Sequence, residues 1–197
     1  VHRSTAYRDL HSLAQTGAPV WEEAGRFGLL KDGYLATVRL NLHEALALYL
    51  AARLLAAHSD EHNPHVIAAL RKLAGAVPQP MADHMERTAC TAGQRQAAQG
   101  YVSVLEALTR AWAESRQVEI TYRGPRDDAA TCRVFDTYFI EPSATGYACY
   151  AIGFDHLRQA LRTFKVERID QIELLHTTYE IDPSFDPHDY LSRAWGV

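Results

Sequence analysis

Val118-Glu119-Ile120-Thr121-Tyr122-Arg123 alternates apolar and polar residues with a period of two. That is the pattern of a strand with one face in a core and the other toward water. Gly124-Pro125-Arg126-Asp127-Asp128 follows as a turn: glycine and proline supply the backbone angles, aspartate the local hydrogen bonds. Further strand-like runs cover Cys132 to Ile140, Tyr147 to Phe154, Ala160 to Phe164 and Ile169 to Leu175. Five short strands at close spacing, with no helix between them, point to a small barrel or sandwich. Beyond Ile181 the sequence is acidic and contains prolines, as a connector does.

Upstream the period changes. Asn41, with Glu44 three residues later, is a variant capping box. Ala45, Leu46, Leu48, Tyr49, Leu50, Leu54 and Leu55 follow, apolar on most faces, which predicts a helix buried on more than one side. Asn63-Pro64 caps a second helix with Val66, Ile67, Leu70 and Leu73 on one stripe. A short helix near Met81 and a longer one through Tyr101, Leu105, Leu108 and Trp112 complete a helical block. Nearer the start, Ser4 caps a short helix carrying Leu10, Leu13 and Ala14, and Gly17 and Pro19 stop it. Val20-Trp21-Glu22-Glu23, a turn at Gly25-Arg26-Phe27-Gly28, and Leu29-Leu30-Lys31 read as a β-hairpin.

At 197 residues the chain has room for one to two domains. Its 47% hydrophobic and 22% charged residues are ordinary for a soluble globular protein. No apolar run approaches the roughly 20 residues that span a bilayer, and no targeting segment is recognisable, so a cytoplasmic location is expected. A net charge of -4 argues against a nucleic-acid coat protein but leaves room for a short basic element on an acidic whole. Cys90, Cys132 and Cys149 are odd in number and far apart, which predicts reduced thiols and neither a disulfide framework nor a zinc ribbon.

His43-Glu44 opens like a zinc-protease HExxH, but Ala47 stands where the second ligand belongs. His58, His62 and His65 cluster, yet Pro64 interrupts them and no carboxylate or thiol set joins them. A nucleophile elbow, a phosphate loop and a dinucleotide fingerprint are all missing. The expectation is therefore a protein with no catalytic set, no metal and no cofactor.

Three stretches carry a family resemblance. Arg3-Ser4-Thr5-Ala6-Tyr7-Arg8-Asp9-Leu10 through Leu13 and Gly17-Ala18-Pro19-Val20 resembles the recognition helix and wing of WYL-containing winged-helix regulators. Gly146 to Arg158 and Leu161-Arg162-Thr163-Phe164-Lys165-Val166-Glu167-Arg168-Ile169 are similar to that family's signature strand and its arginine-rich closing strand. The family's tryptophan-tyrosine-leucine tripeptide aligns with Cys149-Tyr150-Ala151 and keeps only the tyrosine; Gly153, Asp155, Arg158, Arg162, Phe164 and Arg168 retain the match.

The resemblance implies an α+β protein. Its parts would be a partial winged helix-turn-helix over 1–40, a helical connector over 41–115, a five-stranded SH3/Sm-like β-barrel that senses a ligand over 116–180, and the start of a C-terminal extension over 181–197. Both chain ends fall beside recognisable structure, so further residues are expected on either side. The implied function is a ligand-responsive DNA-binding transcriptional regulator, a homodimer acting on double-stranded DNA through a complete winged helix. An accessory sensor of a defence or nuclease system is the alternative, and an enzyme using the barrel pocket for nucleotide chemistry is a third reading that lacks an acid–base pair.

Candidate residues follow. Arg158, Arg162 and Arg168, with His156 and Lys165, lie within one short span. Arg162 and Phe164 are two apart and project from one strand face, a guanidinium fork for phosphate beside an aromatic plate for a base. Tyr122, Arg133 and Tyr150 are candidate walls of that pocket, whose ligand would be a nucleotide or a short single strand. The competing reading pairs Arg162 and Arg168 with Glu167 and Asp170 and places Phe164 in the core. For DNA, Arg3, Ser4, Thr5, Tyr7 and Arg8 occupy the first turns of the N-terminal helix, where bases and phosphates are met. Arg26 and Lys31 of the hairpin would reach the flanking backbone; a solvated basic helix face explains the same residues.

Overall fold

The computed structural model describes residues 20–23, 26–29, 38–57, 63–94, 99–125, 129–143 and 148–195. The chain divides into two units, Val1–Ala45 and Leu46–Val197.

In the first unit, β1 (Val20–Glu23) and β2 (Arg26–Leu29) form an antiparallel hairpin. Glu23 pairs with Arg26, which leaves only residues 24 and 25 between the strands. The turn therefore falls earlier than its expected place at Gly25 to Gly28: Arg26, Phe27 and Gly28 are ladder residues, and a two-residue connection is the commonest that hairpins use. The helix expected from Ser4 lies outside the described residues. Helix α1 (Leu42–Ala57) starts in this unit on the expected capping box. Asn41 Oδ1 accepts from the amides of His43 (2.9 Å) and Glu44 (3.0 Å), and Glu44 Oε2 accepts from the Asn41 amide at 2.7 Å.

The second unit continues with α2 (Pro64–Ala74), α3 (Met81–Ala92) and α4 (Gln99–Glu114). Asn63 Oδ1 caps α2 by accepting from the His65 amide at 2.9 Å, with proline in the first turn where no amide donor is needed. Tyr49, Ile67, Leu70, Ala74, Met85 and Ala89 make one small core among α1, α2 and α3.

After α4 come β3 (Arg116–Tyr122), β4 (Thr131–Pro142), β5 (Cys149–Asp155), β6 (Ala160–Lys165), a 3-10 turn (Val166–Arg168) and β7 (Ile169–Thr178). The strands pair antiparallel in the order β6-β5-β4-β3-β7. The five expected strands are thus present, in an open sheet whose edges are β6 and β7 rather than in a closed barrel. The face that closure would have enclosed is covered by α4: Val104, Leu108 and Ala111 share a core with Val118, Ile120, Tyr122, Phe135, Ala151 and Phe164.

The opposite face is covered too. The C-terminal segment, expected to be a connector, folds back and ends in α5 (Pro187–Trp195). Tyr138 stacks on Tyr179 at 6.1 Å, Phe185 meets Tyr138 at 5.0 Å, and Tyr190 meets Phe139 edge-on at 6.5 Å. The hydroxyls of Thr163 and Tyr190 lie 3.0 Å apart. A register shift between Thr137 and Phe139 makes this possible, because the extra residue lets consecutive rings, Tyr138 and Phe139, both reach Phe185.

At that bulge the chain closes tightly on Gly153. A Cβ there would lie 1.8 Å from the Asp136 carbonyl oxygen, a backbone atom that cannot swing aside. Replacing Gly153 with alanine is expected to destabilise the fold by about 3 kcal/mol, the upper range for overpacking. Gly100, with no atom within 4 Å of its would-be Cβ, is the control: Gly100→Ala should add roughly 0.5–1 kcal/mol through helix propensity. Urea unfolding of both variants separates the two signs.

Candidate ligand-binding site

The β5–β6 end of the sheet is organised by a carboxylate with no solvent exposure. Asp155 Oδ2 accepts from Arg133 Nη1 at 2.6 Å, with side-chain exposures of 0% and 10%. Asp155 Oδ1 accepts from the Leu157 amide at 2.9 Å, and its carbonyl accepts from the Arg158 amide at 3.2 Å. The side chain thus pairs a buried cation and shapes the turn over His156 to Gln159. Gln159 closes that turn at φ 50°, its Nε2 donating to the His156 carbonyl at 2.7 Å. Arg133 Nε also donates to Thr131 Oγ1 at 3.0 Å, and its guanidinium lies 5.6 Å from the Phe164 ring centroid. Tyr122 and Phe135 meet Phe164 edge-on at 4.7 and 5.1 Å.

Three candidates, Tyr122, Arg133 and Phe164, are therefore brought together on the α4 face. Phe164 and Tyr122 are buried, 4% and 8% exposed, and the Arg133 side chain is 10% exposed. Phe164 offers no free plate to solvent, and the charge of Arg133 is already balanced by Asp155. Arg162 shares the strand face of Phe164, as the two-residue spacing predicts, and lies opposite Gly153 on the edge strand, where it is exposed. Arg158 is exposed in the turn, and Arg168 is half-buried in the 3-10 turn.

The ion pairs among the described residues do not include Arg158, Arg162 or Arg168. Asp170 is taken by Arg123 at 3.5 Å, and Glu167 Oε1 accepts from the Cys149 amide at 2.9 Å. Of the competing reading, the core position of Phe164 is present in the structure; the two arginine pairs are not.

Tyr150 and His156 fall on the other face. Tyr150 pairs with Lys165 one step from Ala151, whose side chain is in the α4 core, so the tyrosine turns the opposite way. His156 Nε2 lies 2.9 Å from Asp136 Oδ1, and Gln117 Nε2 donates to the same oxygen at 2.7 Å. Both nitrogens serve as donors to that one acceptor, so the 3.0 Å approach between them is a shared environment rather than a further bond. Burial pushes the Tyr179 hydroxyl up to about 12, with the Asp136 charge adding to it, and the hydroxyl donates to the Thr137 carbonyl. Tyr138 is raised for the same reasons, burial first.

Asp155, Asp136 and Gln117 are the residues that sequence reasoning gave no site role. Asp155 had been noted only within the family resemblance, and its partner Arg133 stands 22 residues away, outside any local pattern. The DNA-contact candidates Arg3, Ser4, Thr5, Tyr7, Arg8 and Lys31 lie outside the described residues, and Arg26 is placed only as a strand position in β2. Among the described residues no group of histidines, cysteines and carboxylates could hold a metal ion. No helix of the described residues is long and apolar enough to cross a membrane.

Residues 103–174 match the family described as WYL domain, which takes in most of α4 and the sheet as far as Leu174 in β7. A solved structure, "Proteasome accessory factor B/C (PafBC) of Arthrobacter aurescens", is similar at 17% identity with a TM-score of 0.38. The similarity covers 72% of this chain and 21% of that one, so the chain spans about a fifth of that protein's length. No curated protein matches.

Two outcomes are expected from this geometry. Asp155→Asn keeps an acceptor for the Leu157 amide but leaves Arg133 as a buried, unbalanced cation, and should cost about 3 kcal/mol or more in denaturant unfolding. Adding Arg133→Met removes the orphaned charge and should recover at least half of that loss; additive losses would mean the pair is not coupled.

The second outcome concerns Cys149, whose thiol burial pushes up from 9.0 to about 12, with Glu167 adding to it. The folded chain holds this proton, and that of Tyr179, more tightly than the unfolded chain does. Stability is therefore complete below the ordinary values and falls as pH rises from about 9 toward 12. At pH 8, iodoacetamide should alkylate the exposed Cys90 and Cys132 and reach Cys149 only after denaturation, as read by peptide mass spectrometry.

Proposed function

We propose that the chain belongs to a ligand-responsive, DNA-binding transcriptional regulator whose WYL domain senses a phosphate-bearing ligand, a nucleotide or a short single-stranded nucleic acid. The observation that carries this reading is the pairing of roles at the β5–β6 end. Arg158 and Arg162 are exposed and outside every ion pair among the described residues, while the turn that carries Arg158 and leads into the strand of Arg162 is fixed from inside by Asp155. Exposed cations without carboxylate partners on a rigid turn suit an anion, because little must be reorganised or displaced when it binds. Arg168 extends the positive edge. Tyr122, Phe164 and Arg133 form its inner support, His156 flanks it from the other face, and Tyr150 stands on that face at the opposite end of β5.

The division into a winged-helix part over 1–40, a helical connector over 41–115, a sensing domain over 116–180 and the start of an extension over 181–197 belongs to this proposal. So does DNA contact through Arg3, Ser4, Thr5, Tyr7, Arg8, Arg26 and Lys31. The regulator works in the cytoplasm as a homodimer, without enzymatic activity. Ligand binding shifts the population of DNA-binding geometries in proportion to its preference for one of them.

The test is fluorescence anisotropy of the whole chain with labelled single-stranded oligonucleotides, followed by displacement with a nucleotide panel, at two salt concentrations. Saturable binding is expected, with Arg158→Ala and Arg162→Ala each weakening it by about tenfold and flattening the salt dependence. Unchanged binding in the double variant would remove these arginines from the site.

A further inference from the structure

Beyond Tyr179 the chain leaves the sheet and comes back to it. Tyr179 itself is fixed at two points: its amide donates to the Ser115 carbonyl at 2.9 Å and its hydroxyl to the Thr137 carbonyl. Residues 180–184 are exposed and turn on themselves, Asp182 Oδ1 accepting from the amide and hydroxyl of Ser184 at 2.8 and 2.7 Å. Phe185 then re-enters against Tyr138 and Phe139, and α5 begins.

This helix is capped and paired within itself. Asp186 Oδ1 accepts from the His188 amide at 2.8 Å, and Arg193 pairs with Asp189 at 3.4 Å. Among the described residues no ion pair ties α5 to the sheet. Its hold runs through the rings of Phe185 and Tyr190 and through the Tyr190 hydroxyl, 3.0 Å from Thr163 Oγ1. An element with its own cap, an exposed approach and few anchors is of the kind that opens by itself.

The seat of that hydroxyl is an edge strand. β6 is six residues long and pairs with β5 alone. Phe164 and Arg162 share its α4 face, so Thr163 between them points to the outer face, under α5. The anchor of the helix and the candidate anion contact are therefore consecutive residues on opposite faces of one strand.

We propose that α5 is a releasable strap, and that its seating on Thr163 and the holding of a phosphate-bearing ligand by Arg162 favour one another through β6. The coupling rests on the ligand reading above and deepens it, by naming the element that reports an occupied site. A strand paired on one side keeps motion that is lost when something binds it. An anion shared by Arg158 and Arg162 orders β6 from one face, and Tyr190 orders it from the other. Whichever arrives second finds a strand already ordered, so the coupling is positive. It is also reciprocal: the ligand tightens the strap by the factor by which the strap tightens the ligand. Release uncovers Phe139, which is 7% exposed under the strap, so the two states differ in surface as well as in order.

The experiment is hydrogen exchange of the whole chain read by mass spectrometry, with and without saturating oligothymidylate. It compares the wild type, Thr163→Val, which removes only the hydroxyl of the seat, and Phe185→Ala/Tyr190→Ala, which leaves the strap open. Anisotropy gives the oligothymidylate affinity of each. Without ligand, α5 amides should exchange faster than those of β4, and faster still in Thr163→Val, with β4 unmoved. Oligothymidylate should slow α5 exchange in the wild type by at least about fivefold. The open-strap variant should bind it more weakly by that same factor, although neither substitution removes a ligand contact. Exchange of α5 in step with β4, or loss of β4 protection in the open-strap variant, would overturn the strap as a separate unit. Ligand bound with α5 exchange unchanged, or with full affinity in the open-strap variant, would overturn the coupling and leave the ligand reading standing. A wild type that binds no oligothymidylate would overturn the coupling together with the ligand reading.

Discussion

A carboxylate enclosed by protein must be met by a cation and by donors, and the β5–β6 end of the sheet is built around meeting one. Asp155 is that carboxylate. One oxygen takes Arg133 and the other takes the Leu157 amide, so the demands of a single charge tie β4, β5 and the following turn together. The arrangement also separates two kinds of arginine. Arg133 is committed inward and stabilises; Arg158 and Arg162 are displayed by the structure that Arg133 holds. An isolated buried ion would be costly, and breaking such a pair is far more damaging than its net contribution to stability suggests.

The sheet itself is a layer between two covers, α4 on one side and the C-terminal segment on the other. This explains which parts of the fold were legible in the sequence. β3 alternates because Glu119 reaches solvent while Val118, Ile120 and Tyr122 lie under α4. β5 does not alternate cleanly, since Ala151 and Ile152 are adjacent and both fully buried, one on each face. The helix caps at Asn41 and Asn63 were legible because they depend on residues two and three positions away. The hairpin turn was misplaced because Gly25 and Gly28 both carry the turn signal, and only the pairing of Glu23 with Arg26 decides between them.

The arrangement of the candidate residues was legible in outline and not in detail, for a related reason. That Arg162 and Phe164 share a face follows from strand geometry. Which of them is exposed depends on α4, which lies over the aromatic and leaves the arginine at the edge. The bonds of Arg133 to Asp155 and of Gln117 to Asp136 join residues 22 and 19 positions apart, through a register that no local pattern contains. The open sheet was not foreseen either: strand count and spacing are shared by barrels and open sheets, and here a helix takes the place of closure.

The separation between inward and outward arginines has a consequence on an evolutionary scale. Substitutions at Gly153 or Asp155 disturb backbone approach and buried charge, so drift there is closed. Among the described residues the side chains of Arg158 and Arg162 hold nothing else in place, and exposed positions of that kind change at a cost within roughly 0.5 kcal/mol of stability. Lineages descending from such a scaffold are free to replace the displayed residues one at a time. The inherited framework survives each replacement intact.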